Sequence, residues 1–112
     1  MKYLLLIYGD EGQNQDVSPE AMGRWRKVTE DMTAAGVLLG GEALQPVATA
    51  TTVRAPGGKV VTTDGPFAET KEQLGGFYFI DVEHLDDALR WAAALPASEH
   101  GSIEVRPVMS FD

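Results

Sequence analysis

Two stretches of this chain, Leu4-Leu5-Leu6-Ile7 and Phe77-Tyr78-Phe79-Ile80, are apolar at four consecutive positions. Successive side chains of a strand point to opposite faces, so each stretch, read as a strand, puts apolar groups on both faces of its sheet. Only two segments carry helical periodicity, and two helices cover one face. In the first, Ser18 is placed to accept from an orphan amide as N-cap, and Pro19 loses nothing at the first helical position. Met22, Trp25, Thr29 and Met32 then recur at helical spacing, and Gly36 supplies a left-handed stop after about Ala35. Leu85, Ala88, Leu89, Ala92 and Leu95 form the second stripe, ended by Pro96. The uncovered face is therefore expected to be an interaction surface, and a second copy of the chain is the simplest cover: a homodimer packed through its sheet faces.

The remaining punctuation completes an element order. Lys2 to Tyr8 is the first strand, Val37 to Leu44 a strand interrupted by Gly40-Gly41, and Phe77 to Val82 and Ser102 to Met109 two more. Ala50 to Arg54 and Lys59 to Thr63 read as arms of a hairpin turning at Pro56-Gly57-Gly58. The sum is β-α-β, hairpin, β-α-β: an α+β, ferredoxin-like antiparallel sheet with two helices on one face and an inserted hairpin. At 112 residues, with no linker-like tract, the chain is expected to form a single domain over 1–112.

Composition removes several classes of function. There is no Cys, so no disulfide framework, thiolate metal site or cysteine nucleophile. Nine Lys and Arg against 17 Asp and Glu give a net charge of −8, which disfavours broad binding to nucleic acid or anionic membrane. The apolar run at the N-terminus stops at Gly9-Asp10-Glu11, too early for a signal peptide or a membrane span. A cytoplasmic protein is expected. No GxSxG, GxGxxG or P-loop pattern occurs, and His84 and His100 form no metal-ligand spacing, so neither cofactor nor metal is expected. His84 is expected at the N-cap of the second helix or just before it, with Asp81, Glu83, Asp86 and Asp87 favoured by the dipole there.

The densest polar constellation is Thr63-Asp64-Gly65-Pro66-Phe67-Ala68-Glu69-Thr70-Lys71-Glu72. Read as structure, it is an Asx-type turn at Asp64, with Gly65 extended because Pro follows and Phe67 inserted into the core. Read as a site, it is a held loop presenting Asp64, Glu69, Lys71 and Glu72 to a cleft. Arg106, mid-strand beside apolar neighbours, calls for an anionic partner: Asp64 or Glu42 as an ion pair, or a ligand. Gly40-Gly41 and Gly75-Gly76 mark bulges or close backbone approach.

The run Asp64-Gly65-Pro66-Phe67-Ala68-Glu69-Thr70-Lys71-Glu72-Gln73-Leu74-Gly75-Gly76-Phe77 resembles the signature of the DGPF family within the YCII-related superfamily. Met1-Lys2-Tyr3 through Tyr8-Gly9, Gly40-Gly41-Glu42-Ala43-Leu44 and Ile103-Glu104-Val105-Arg106-Pro107 resemble it as well. The resemblance implies a dimeric α/β-barrel type of ferredoxin-like fold. It also implies relatives associated with extracytoplasmic-function sigma factors, and some acting on small chlorinated or hydroxylated aromatics. In the YCII branch a His early in the first helix and an Asp in an Asp-Pro turn after the second helix are a proposed active pair. Here the first helix has no His and the matching turn reads Leu95-Pro96, so both groups are absent from those places. His100 could substitute only by reaching the Asp64 loop.

Three readings follow. The first is a small-molecule binding or sensing module for an anionic or aromatic ligand, held by Asp64, Gly65, Phe67, Glu69, Lys71, Glu72, Arg106 and Glu42 and linked to sigma-factor regulation. The second is a cofactor-independent lyase or isomerase, with Asp64 or Glu69 as base and Lys71 or Arg106 steadying an anionic intermediate. The third is a structural dimer in which the motif only stabilises the fold.

Overall fold

A computed structural model describes residues 1–12 and 17–111. Strands β1 (Lys2–Gly9), β2 (Leu38–Ala43), β5 (Gln73–Asp81) and β6 (Ser102–Pro107) form one antiparallel sheet in the order β2-β5-β1-β6. Helix α1 (Pro19–Ala34) connects β1 to β2, and α2 (Leu85–Ala94) connects β5 to β6. Each β-α-β unit thus straddles a strand of the other, an order compatible with the ferredoxin-like plait. Between β2 and β5 the chain forms a separate two-stranded ribbon, β3 (Thr51–Arg54) with β4 (Val61–Asp64). The expected hairpin is therefore present, and it is not part of the main sheet.

Register separates the faces. Tyr3 opposes Ile80 and Leu5 opposes Tyr78, and these side chains meet the helices. Leu4 opposes Phe79 and Leu6 opposes Phe77 on the outer face, where no helix lies. The core holds Tyr3, Leu5 and Ile80 from the sheet, Val28 and Met32 from α1, and Ala88, Ala92 and Leu95 from α2 and its end. Fully burying a large aliphatic side chain contributes about 1.5–3 kcal/mol, so Leu5, Met32, Ile80 and Leu95 carry much of the stability.

The helices begin and end where local chemistry directs. The Ser18 hydroxyl accepts from the Ala21 amide, a cap typically worth about 1 kcal/mol. Gly36 closes α1 at φ +72°, a conformation that costs glycine nothing. The buried stripe of α1 is rotated from the expected one. Val28 is buried and Met22 is exposed, because the helix meets the sheet through Trp25, Val28, Thr29 and Met32. The Trp25 ring stacks 6.4 Å from Tyr78, and the Thr29 hydroxyl shares a 2.7 Å hydrogen bond with the Tyr78 hydroxyl. On α2, Leu85 and Leu89 are exposed while Ala88 and Ala92 are buried. Small residues let that helix lie close to the sheet; Leu85 and Leu89 turn outward, while Trp91 is half-buried and packs against the core.

His84 is the N-cap of α2, and its amide donates to Asp87 at 3.2 Å. The glycine pairs do mark irregular pairing. Register shifts between Ile7 and Tyr8 opposite β5, and between Leu38 and Gly40 opposite β5. A β-carbon on Gly41 would lie 2.7 Å from the Phe77 carbonyl oxygen. No helix among the described residues is long and apolar enough to cross a membrane.

Candidate functional site

The outer face has a definite pattern. Its centre, on β1 and β5, is a half-buried apolar stripe of Leu4, Leu6, Tyr8, Leu74, Phe77 and Phe79. Its margins are polar. Glu42 opposes Phe77 from β2, while Ser102, Glu104 and Arg106 oppose Tyr8, Leu6 and Leu4 from β6. An apolar floor with a few ionisable groups at its border is the usual composition of both a ligand site and an interface.

Arg106 finds its counter-charge on its own strand. Its guanidinium lies 3.5 Å from Glu104, two residues back on the same face. This corrects the expected pairing with Asp64 or Glu42. Glu42 and Arg106 sit on opposite edges of a four-stranded sheet, three strand spacings apart, or roughly 14 Å. No single ion pair spans that distance, whereas period two brings Glu104 and Arg106 together. The pair is exposed, so it adds little stability.

The motif segment is ordered by its backbone more than by its charges. Asp64 ends β4 opposite Thr51 with its side chain exposed, and no hydrogen bond to its carboxylate occurs among the described residues. The expected Asx turn is thus not formed. Gly65 takes φ +97° instead of the expected extended form, a region open to glycine because it lacks a β-carbon. Its amide donates to the Ala50 carbonyl at 2.7 Å, and its carbonyl accepts from the Thr52 hydroxyl at 2.8 Å. Phe67 does not enter the core: it is 78% exposed. Glu69 and Lys71 are exposed as well, and Glu72 is half-buried, accepting from the Ser102 hydroxyl at 2.8 Å.

Two further residues, Gln73 and Glu11, fasten this segment to the sheet. Gln73 accepts from the Glu11 amide at 3.0 Å and donates to the Thr70 carbonyl at 2.7 Å. The Glu11 carboxylate in turn accepts from the Val47 amide, with its two oxygens at 3.1 and 3.3 Å. The Thr70 hydroxyl donates to the Glu72 carbonyl. Gln73 was visible in the motif, but Glu11 carries no sequence signal, because its partner lies 36 residues away.

Two shallow grooves open elsewhere. One, of about 450 Å³, is lined by Met1, Val37, Asp81, Val82, Asp87 and Trp91 among others. The second, of about 440 Å³, lies between Arg24, Lys27 and Val28 on α1 and Ala94 and Pro96 beyond. Neither includes a residue of the motif. Near the second, a hydrogen bond and the charge of Arg24 hold the Glu99 carboxyl below its usual range, and Asp31 likewise raises the Lys27 pKa. Both groups are solvent-exposed and their pairs are of the weak surface kind. His100 makes no hydrogen bond to the motif among the described residues.

Set beside known proteins, residues 1–112 match the YCII-related domain. The chain is also 42% identical over 117 residues to an uncharacterised protein of Rhizobium meliloti (strain 1021), covering 96% of this chain and 92% of that relative.

Proposed function

The chain belongs to the YCII-related domain family, and we propose that it is a small-molecule binding or sensing protein of the DGPF branch, acting in the cytoplasm as a homodimer paired through the outer faces of its sheets. The observation that carries this reading is the apolar stripe from Leu4 to Phe79 with polar margins, left bare by both helices. Pairing two such faces gives the barrel-like dimer that the motif resemblance implies and encloses space between the copies. In this reading Arg106, Glu42 and Glu72 border the enclosed space, and Asp64, Gly65, Phe67, Glu69 and Lys71 close its end. The ligand class that suits an apolar floor with an arginine at its margin is a small anionic or aromatic compound. The link to sigma-factor regulation rests on the motif resemblance alone.

Pairing is tested first. Light scattering at about 10 µM, a concentration at which a standard-size interface of micromolar or better affinity is populated, is expected to give twice the 12.1 kDa chain mass. Phe77→Lys, which places a charge in the centre of the stripe, is expected to give the single-chain mass with the helical content retained. A wild-type monomer overturns the dimer.

Binding is tested separately by thermal shift of the wild type and Asp64→Asn against small anionic and aromatic metabolites. A compound that binds only the native state at about 100 times its Kd adds roughly 2.7 kcal/mol of stability, a shift of about 10 °C for a chain of this size. Loss of that shift in Asp64→Asn is the expected result. No shift with any compound, together with a lower melting point for Asp64→Asn, would make the motif architectural. Turnover assays on a confirmed ligand would then separate a binder from a lyase or isomerase.

A further inference from the structure

We propose that the segment between β2 and β5, residues 44–72, is an exchange arm that packs on a second copy of this chain, so that each candidate site combines the outer sheet face of one copy with the motif of the other. This rests on the face-to-face dimer proposed above and adds to it which parts of which copy meet.

The ribbon needs a partner that its own chain does not supply. Its strands are four residues each and pair only with each other. A two-stranded ribbon is marginally stable alone in water and gains independent stability from a third strand or a packed face. Here Val53, Val60 and Phe67 are 62%, 66% and 78% exposed, and Val61 is 44% exposed. An arm meant for solvent would carry polar groups at these positions. Instead both faces of the ribbon present valine: Val53 lies with Asp64 and Thr62, and Val61 with Arg54, Thr52 and Thr63.

Size decides between a covered and an uncovered arm. The chain measures 46 × 43 × 18 Å and has a radius of gyration of 16.0 Å. A compact chain of this length would have about 13 Å. Its accessible surface is 8062 Å², against about 6,000 Å² for a monomer of its mass. The excess is roughly 2,000 Å² per chain, or about 4,000 Å² per pair, within the range of obligate homodimers. The outer face alone falls short of this. Four strands at about 4.8 Å spacing and six residues of about 3.4 Å rise cover on the order of 400 Å² in plan. The protruding arm, with Val53, Val60 and Phe67 exposed, adds apolar surface beyond that face for a second copy to cover.

The arm is also held in position for such a contact. The Glu11 carboxylate on the Val47 amide, Gln73 between Glu11 and Thr70, and the Gly65 amide on Ala50 fix its root. A lever whose root is fixed and which carries exposed Val53, Val60 and Phe67 loses little freedom when it docks. A two-fold pair then supplies both halves of the contact twice over, because each copy offers one arm and one face. The site is incomplete in a single chain for the same reason.

Two experiments read this directly. Val53→Asp combined with Phe67→Asp changes side chains that are 62% and 78% exposed, so folding of the single chain is expected to be unaffected. If the arm docks, the dimer dissociation constant rises at least about 30-fold, the scale of losing a central apolar contact. A constant within about twofold of the wild type, alongside a monomeric Phe77→Lys, overturns the arm while leaving the sheet-face dimer standing. A wild-type monomer overturns both.

The second experiment uses the absence of cysteine in the sequence. A nitroxide on Ala68→Cys in an unlabelled chain is mixed with ¹⁵N-labelled wild type. Broadening of the Leu4, Leu6, Phe77 and Phe79 amides in the ¹⁵N copy is expected. Undisturbed amides in a mixed dimer would show that the motif stays with its own chain.

Discussion

Replacing Leu5 by Ala is expected to destabilise the fold by about 3 kcal/mol, a fall in melting temperature of about 12 °C for a chain of this length. Leu5 is 0% exposed and lies on the helix side of β1, between Tyr78 of β5 and Val105 of β6. Truncation there leaves a cavity among residues held by two neighbouring strands, which have little room to close over it. The adjacent leucine provides the contrast. Leu6 lies on the outer face and is half-buried, so Leu6→Ala is expected to remove about 1 kcal/mol from the folding of a single chain. Its further effect falls on association, read as a change in mass. Chemical denaturation of both variants checks the pair. A loss below about 1 kcal/mol at Leu5 would contradict the core described above.

Gly101→Ala is the second large effect, expected at about 2–3 kcal/mol. A β-carbon at Gly101 would stand 2.3 Å from the Tyr8 carbonyl oxygen, 3.2 Å from the Ala97 carbonyl oxygen and 3.4 Å from the Gly9 α-carbon. All three are backbone atoms, so no side-chain rotation relieves the clash. The Gly101 amide is also bonded to the Ala97 carbonyl at 2.8 Å, which closes the turn after α2 and holds Gly101 in place against the end of β1. The same substitution at Gly40 gives the opposite sign. A β-carbon there meets nothing within 4 Å, and its backbone is not left-handed. Alanine at Gly40 is expected to stabilise by about 0.5 kcal/mol through the unfolded chain. Equal stability of the Gly101→Ala variant and the wild type would overturn the close approach at β1.

Much of the architecture was legible because it is written in local chemistry. Ser18-Pro19 and Gly36 bound α1 through groups within a few residues of one another. The consecutive apolar runs in β1 and β5 require two apolar sheet faces whatever covers them, since side-chain direction in a strand alternates. Gly75-Gly76 and Gly40-Gly41 signal irregular pairing for a similarly local reason, the absence of a side chain.

The candidate site was less legible. Its residue types were visible, but their partners were not. Arg106 reads equally well as a partner for Asp64, Glu42 or Glu104 until strand order places Glu42 three strands away. Phe67 reads as a core anchor because aromatic rings are often buried, yet it lies in the irregular segment between β4 and β5 with its ring exposed. Glu11 gives no sign of its bond to Val47.

By itself the sequence determined the element types, the antiparallel α+β arrangement and the presence of a second apolar face, because these follow from periodicity, capping and strand alternation. Tertiary structure alone decided which way α1 turns its stripe, that the β3–β4 ribbon stands apart from the sheet, and which charges meet. Those outcomes depend on contacts between residues distant in the chain, where small differences in packing outweigh any local preference.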